Sequence, residues 1–142
     1  MAAPATPAPP DPRISEPSAP PPEYDDHGRA LFGMAGAGSY LFVARETDGA
    51  FAGHAWLHVA ADVGGLYDVF VPEQSRRRGL GSALSGAASA KAAGLGVETI
   101  TLNAEFPPLY LSLGYRTLGR GRTWWLHLSD RRSSAAAPGR PS

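Results

Sequence analysis

Apolar and polar positions alternate in short runs along the middle of the chain, broken by one longer alanine-rich stretch. Tyr40-Leu41-Phe42-Val43-Ala44 reads as a strand, Thr47-Asp48-Gly49 as a hairpin turn, and Phe51 to Val59 as a second strand. A third strand over 65–71 rests on Leu66, Tyr67, Val69, Phe70 and Val71, bounded by Gly64-Gly65 and by Pro72. Within it Asp68 alternates with Leu66 and Phe70, which predicts all three on one face. Ala83, Leu84, Ala87, Ala88, Ala90, Lys91, Ala92 and Ala93 predict a helix over 82–94, with Gly94 where a C-terminal cap belongs.

Val97 to Leu102 alternates again. A strand–helix–strand run of this length favours a right-handed crossover, so 97–102 should lie parallel to 65–71, while the three earlier strands form an antiparallel meander. Pro107-Pro108 opens a short helix through Leu113, since proline is tolerated in a first turn. Tyr115 to Leu118 and Thr123 to Leu128 read as a closing hairpin. The ends are different. Residues 1–23 carry nine of the fourteen prolines and bury little, 24–38 hold at most one short helix around Arg29-Ala30-Leu31-Phe32, and 129–142 form a polar Ala/Ser/Pro tail. The organisation expected is a largely disordered tail over 1–38, one domain over 39–128 and a second tail.

Composition narrows the class. Thirteen basic residues balance thirteen acidic ones, so no global field favours nucleic acid or an anionic membrane. No cysteine exists to form a disulfide, a thiolate metal site or a covalent thioester. Apolar stretches fall short of a membrane span and the N-terminus lacks a basic-then-apolar leader, which favours a cytoplasmic protein.

Between the third strand and the helix lies Arg76-Arg77-Arg78-Gly79-Leu80-Gly81-Ser82. Glycines let a backbone approach an anion closely, and N–H groups at a helix N-terminus point at it with the helix dipole behind them. Three arginines add positive charge at the same place. The bland reading is a solvated basic turn, which leaves the glycines unexplained. Neither a phosphate-loop Lys-Ser/Thr nor the dinucleotide Gly-x-Gly-x-x-Gly is present.

Val69-Phe70-Val71 followed by Arg76 to Leu84 resembles the acetyl-CoA-binding motif of the GCN5-related N-acetyltransferases. Asn103 and then Leu109-Tyr110-Leu111-Ser112-Leu113-Gly114-Tyr115 is similar to that family's later Asn…Leu-Tyr-x-x-x-Gly-Phe segment, with Tyr115 in place of Phe. The resemblance covers roughly 39–128 and implies an α/β (α+β) domain. Its central sheet would be mixed and mostly antiparallel, with helices on both faces. It further implies that the central strand and the parallel strand splay apart to admit the pantetheine arm of acetyl-CoA, the acyl donor. Val69, Phe70 and Val71 would then bond that arm as an added strand would, and an N–H near Val69 or Phe70 would polarise the thioester carbonyl. Arg76, Arg77, Arg78, Gly79, Leu80, Gly81 and Ser82 would hold the pyrophosphate, with Asn103 beside the donor. Pro72 stands one position earlier than the family's usual proline.

The resemblance also implies that Tyr110 protonates the departing thiolate. The chemistry is sound, with a reference pKa of ~8.5 for a thiol and ~10 for a phenol. Tyr110 could equally be a core tyrosine. Asp68 is the candidate base for the amine, with Glu98, His54 and His58 as rivals. The two histidines share a strand face, but no third ligand stands at metal spacing, so no metal is implied. Trp124-Trp125 reads as core on one side and sheet edge or interface on the other.

The function implied is acetyl transfer from acetyl-CoA to a primary amine by direct attack in a ternary complex. The alternatives are a non-catalytic acyl-CoA-binding module or the CoA-binding half of a larger assembly. An RNA-binding role for the arginines lacks an interleaved aromatic platform. Family members usually place a strand and one or two helices before the first hairpin, whereas this chain looks N-terminally shortened. The first strand then has an uncovered apolar edge, which predicts a homodimer or a docked partner.

Overall fold

A computed structural model describes residues 10–124, 126 and 128. Five strands form one sheet in sequence order: β1 (Ile14–Ser15), β2 (Ser39–Arg45), β3 (Phe51–Ala60), β4 (Val63–Phe70) and β5 (Thr99–Leu102). The first four run antiparallel to their neighbours, and β5 lies parallel to β4. The helices are α1 (Asp26–Met34), α2 (Leu80–Gly94) and α3 (Pro107–Ser112). The meander and the parallel crossover are as the apolar pattern predicts.

Opposite faces of the sheet carry α1 and α2. Leu80, Leu84, Ala88 and Ala92 recur every four residues along α2 and are buried with Phe42, Ala44, Ala52, Ala55, Leu57 and Leu66. Alanines on both sides let the helix axis approach the sheet closely, and fully burying Leu84 contributes about 1.5–3 kcal/mol. On the other face Phe32 of α1 packs on Trp56 of β3, with ring centroids 6.2 Å apart.

Helices α2 and α3 stop in the same way. Gly96, not Gly94, takes the left-handed conformation after α2, at φ +80°, and the Val97 amide donates to the Ala92 carbonyl at 3.0 Å. Gly114 does the same after α3 at φ +93°, and the Tyr115 amide donates to the Tyr110 carbonyl at 3.0 Å. Each is the six-to-one closure that satisfies the last helical carbonyls.

The N-terminal region departs most from the expectation drawn from composition. β1 pairs with β2, Ile14 opposite Ala44 and Ser15 opposite Val43, so the edge of β2 is covered. That removes the basis on which a homodimer was expected. Arg45 donates to both carboxylate oxygens of Glu23, at 2.7 and 3.1 Å, and Lys91 pairs with Glu16 at 3.2 Å. These ion pairs fasten a proline-rich segment that has little core of its own. Asp25 then caps α1 by accepting from the Gly28 amide. The described N-terminus therefore provides a strand and a helix ahead of the first hairpin. Tyr115 to Leu118 form no strand, so the closing hairpin is absent there; of its second half, Trp125 and His127 lie outside the described residues. Trp124 is exposed rather than core.

Gly53 shows how tightly β3 and the end of β4 approach. Its φ is +143°, and a Cβ there would overlap the Phe70 carbonyl oxygen and touch Val71 and Leu84. Gly53→Ala should lower the denaturant midpoint by an amount equivalent to about 1–3 kcal/mol, the usual cost of overpacking. A midpoint unchanged from wild type would show that the strand end has slack.

Candidate functional site

β4 and β5 part company halfway along. Their pairing runs only from Val63–Thr99 to Leu66–Leu102, while β4 continues to Phe70. Beyond Leu66 the β5-side edge of β4 has no strand partner among the described residues, so its backbone groups are open to an added strand. Val69 and Val71 pack against the core and Phe70 is exposed.

A bulge sits on that open stretch. Opposite β3, Trp56 pairs with Tyr67 and His54 pairs with Phe70, so Asp68 and Val69 together face Ala55. Asp68 has φ +51°, a left-handed conformation that Asp tolerates better than most residues. The extra residue breaks the alternation. Asp68 does share a face with Phe70, as both meet His54, but Leu66 lies in the core on the other face. Strict two-residue periodicity put all three together, and the bulge is the physical reason it failed.

Below the fork, a short 3-10 turn (Glu73–Ser75) leads into the Arg/Gly loop. Arg77 at φ +63° and Gly79 at φ +74° are both left-handed, and they fold the chain back onto the start of α2. No side chain caps α2 and no acidic residue occupies its first turn, which leaves the positive end of the helix free for an anion. The arginines do not act alike. Arg76 donates through Nε to the Val71 carbonyl at 2.9 Å, and Arg78 pairs with Glu46 at 2.8 Å. Arg13 of the N-terminal arm donates to the Arg78 carbonyl at 2.9 Å. Arg77 makes no hydrogen bond among the described residues, so the loop offers an anion this guanidinium together with the amides around Gly79, Leu80, Gly81 and Ser82.

α3 lies over the same helix start, because a Cβ on Gly81 would come 3.3 Å from Leu109 Cδ2. Tyr110, next along, packs against the core and meets Tyr115 edge-on at 5.7 Å. Burial, and then the neighbouring Tyr115, raise the Tyr110 phenol above its ordinary pKa. Asn103 is exposed just past the last β4–β5 pair. With Tyr110 and Glu98 it lines an open cavity of about 1170 Å³, which none of residues 69–71 or 76–82 lines. That cavity runs along β5 to α3 and the segment after it.

The rival bases separate by position. Glu98 immediately precedes Thr99, the partner of Val63, which is five residues before Asp68. Glu98 is one residue further still, and at ~3.3 Å per residue this puts it roughly 20 Å along the sheet from the bulge. His58 meets Ser39 Oγ at 2.7 Å through Nδ1 and stacks on Trp56. His54 instead meets Asp68 Oδ2 at 2.9 Å through Nε2, and its Nδ1 meets the Tyr24 hydroxyl. The hydrogen bond from His54 holds the Asp68 carboxyl below the usual carboxylate range despite its partial burial. Tyr24 is pushed up to about 12, chiefly by burial and then by the Asp68 charge. Tyr24 is the member of this hydrogen-bonded cluster that sequence reasoning missed. It directly follows Pro20-Pro21-Pro22-Glu23, and that composition concealed its role. Among the described residues no three His, Asp or Glu side chains gather as a metal cluster, and no helix is long and apolar enough to cross a membrane.

The profile of the Acetyltransferase (GNAT) family matches residues 9–115. The chain belongs to the GNAT acetyltransferase family. The match begins within the proline-rich segment, in keeping with β1 and α1 as parts of the fold. Glucosamine-6-phosphate N-acetyltransferase from Arabidopsis thaliana superposes with a TM-score of 0.64 at 15% identity, over 73% of this chain and 80% of that one. An acetyltransferase from Trypanosoma brucei gives 0.57 at 27% identity, over 63% and 70%. A GCN5-related N-acetyltransferase from Ralstonia eutropha gives 0.54 at 25%, over 61% and 65%. No curated protein gives a significant match. The mixed open sheet with helices on both faces is the GNAT fold.

One local detail departs from the GNAT segment that Leu109 to Tyr115 resembles. Where the family usually carries Phe, the Tyr115 hydroxyl is buried with no hydrogen-bond partner among the described residues. A buried unpaired hydroxyl costs about 1–3 kcal/mol. Tyr115→Phe should accordingly leave stability unchanged or raise it, by up to about 1 kcal/mol in a denaturant melt. A clear loss would mean that the hydroxyl finds a partner in solution.

Proposed function

We propose that this GNAT protein transfers an acetyl group from acetyl-CoA to a primary amine by direct attack in a ternary complex. The observation that carries the reading is the fork. β4 runs on past its last pair with β5, open along one edge, directly above an uncapped helix start and a glycine-containing loop. An extended pantetheine arm is matched to the first feature and a pyrophosphate to the second.

In this reading the backbone at Val69 to Val71 binds the arm, and an N–H at Val69 or Phe70 stabilises the oxyanion as the thioester carbonyl is attacked. The acceptor arrives as an ammonium beside Asp68, whose carboxylate is exposed at the bulge. One proton leaves to solvent, the free amine nitrogen bonds the carbonyl carbon, and the C–S bond breaks. The second amine proton is lost as the amide forms, and the thiolate takes a proton from Tyr110, which is reprotonated from solvent. The sum is ammonium plus thioester giving amide, thiol and one proton. In this reading Asn103, just past the last β4–β5 pair, contacts the donor from the β5 side.

Acetyl-CoA at ~100 times its dissociation constant should stabilise the fold by about 2.7 kcal/mol, read as a melting shift. Gly81→Glu should abolish the shift, because it adds negative charge at the helix start and a side chain against Leu109. No shift for wild type at millimolar acetyl-CoA would remove the reading.

Turnover is read as CoA release with benzylamine, spermidine and a short peptide bearing a free N-terminus. Tyr110→Phe should lower kcat by a factor on the order of 10²–10⁴ while the melting shift stays intact. Equal kcat across the pH range would leave Tyr110 a packing residue. Binding with no CoA release above background would reduce the protein to an acyl-CoA-binding module.

A further inference from the structure

The assignment of Asp68 as the carboxylate that meets the amine leaves open what holds it. Asp68 is on a bulge, and its side chain is about two-thirds exposed. A carboxylate so placed has no packing to orient it. His54 supplies that orientation from the neighbouring strand, and Tyr24 in turn fixes His54 from the N-terminal arm.

With His54 neutral, the bonds fix a single arrangement. An ionised Asp68 can only accept, so His54 must donate from Nε2. A neutral imidazole with its proton on Nε2 has a lone pair on Nδ1, and the Tyr24 hydroxyl donates to it. The His54 side chain is only 16% exposed and is enclosed edge-on by aromatic rings, Tyr24 at 5.6 Å and Phe51 at 5.9 Å, with Phe70 tilted against it at 5.8 Å. These rings restrict the imidazole to one orientation and exclude water from its flanks.

We propose that Tyr24, His54 and Asp68 form one hydrogen-bonded chain that presents an ionised carboxylate to the ammonium of the acceptor. Tyr24 and His54 are positioning residues and Asp68 is the group that touches substrate. The proposal rests on the acetyl-transfer reading. It makes the N-terminal arm a working part of the acceptor side, where the family resemblance had suggested a shortened one.

Other charged groups near the chain are engaged elsewhere. Glu23 is paired with Arg45, Asp25 caps α1, and Arg29 donates to the Tyr24 and Pro22 carbonyls. His58, two pairs along β3, bonds Ser39 and meets the Tyr67 ring at 5.2 Å. None of them hydrogen-bonds Asp68. The pH response therefore belongs to the chain itself. His54 lowers the Asp68 pKa, so the carboxylate persists below the ordinary carboxylate range and is lost only as pH falls through that lowered value.

The test uses Tyr24→Phe and His54→Phe, which keep a ring in each place, with the best acceptor among benzylamine, spermidine and the peptide. The acetyl-CoA melting shift and the KM for acetyl-CoA should match wild type in both. For the amine, kcat/KM should fall about 10- to 100-fold in His54→Phe, which removes a bond to a charged group, and by a smaller factor in Tyr24→Phe. The acid limb of the kcat/KM profile should move to higher pH in His54→Phe. Imidazole ¹⁵N spectra of wild type should show the proton on Nε2, with that preference weakened in Tyr24→Phe. Wild-type kinetics and an unmoved acid limb in both variants would overturn the proposal while leaving acetyl transfer standing, as would a proton found on Nδ1. A wild-type protein that binds acetyl-CoA and acetylates no amine would overturn the transfer reading and the proposal together.

Discussion

The short parallel pairing of β4 with β5 is the constraint on which the rest depends. Four residue pairs, Val63 to Leu66 against Thr99 to Leu102, suffice to hold the crossover helix between them. A longer ladder would seal the open edge of β4, and a shorter one would leave β5 without a sheet. Where the ladder ends, β4 bulges, and the left-handed Asp68 turns its carboxylate to the face opposite α2. One irregularity thus separates two features of the strand. The open backbone edge stays on the β5 side, and a charge is turned out onto the face opposite α2.

The sheet was legible because its determinants are local. Alternation in 40–44, 51–59 and 97–102, the Asp48-Gly49 turn and the alanine-rich stretch each specify an element without reference to the others. The Arg/Gly loop was legible for the same reason, since its glycines and its place before a helix are written in consecutive residues. The bulge was not, because Asp68 fits a two-residue alternation and only its left-handed φ moves it across the sheet. Helix ends were misplaced by two residues. Gly94 and Gly96 are both plausible stops, and the closing hydrogen bond of Val97 to Ala92 selects the second.

The N-terminal arm was hidden for a different reason. Proline content argues that residues 10–25 build little core, and Ile14 packs against the core from this segment, yet polar contacts to distant residues also hold it: Glu23 to Arg45, Glu16 to Lys91, Arg13 to the Arg78 carbonyl. Long-range pairs of this kind leave no periodic trace. The arginines illustrate the converse, for three adjacent cations read alike while one donates to the Val71 carbonyl through Nε and another pairs with Glu46.

Arg13 and Tyr24 are eleven positions apart on the same arm, the first bonded to the phosphate-side loop and the second to the bulge histidine. The strand that secures this arm is two residues long, so the arm belongs to the part of the molecule with least to lose on local opening. Opening of β1 frees the Arg13 end of the arm, while Glu23 and Arg45 still hold the Tyr24 end. Amide exchange along β1 therefore reports how often this arm lets go of the sheet.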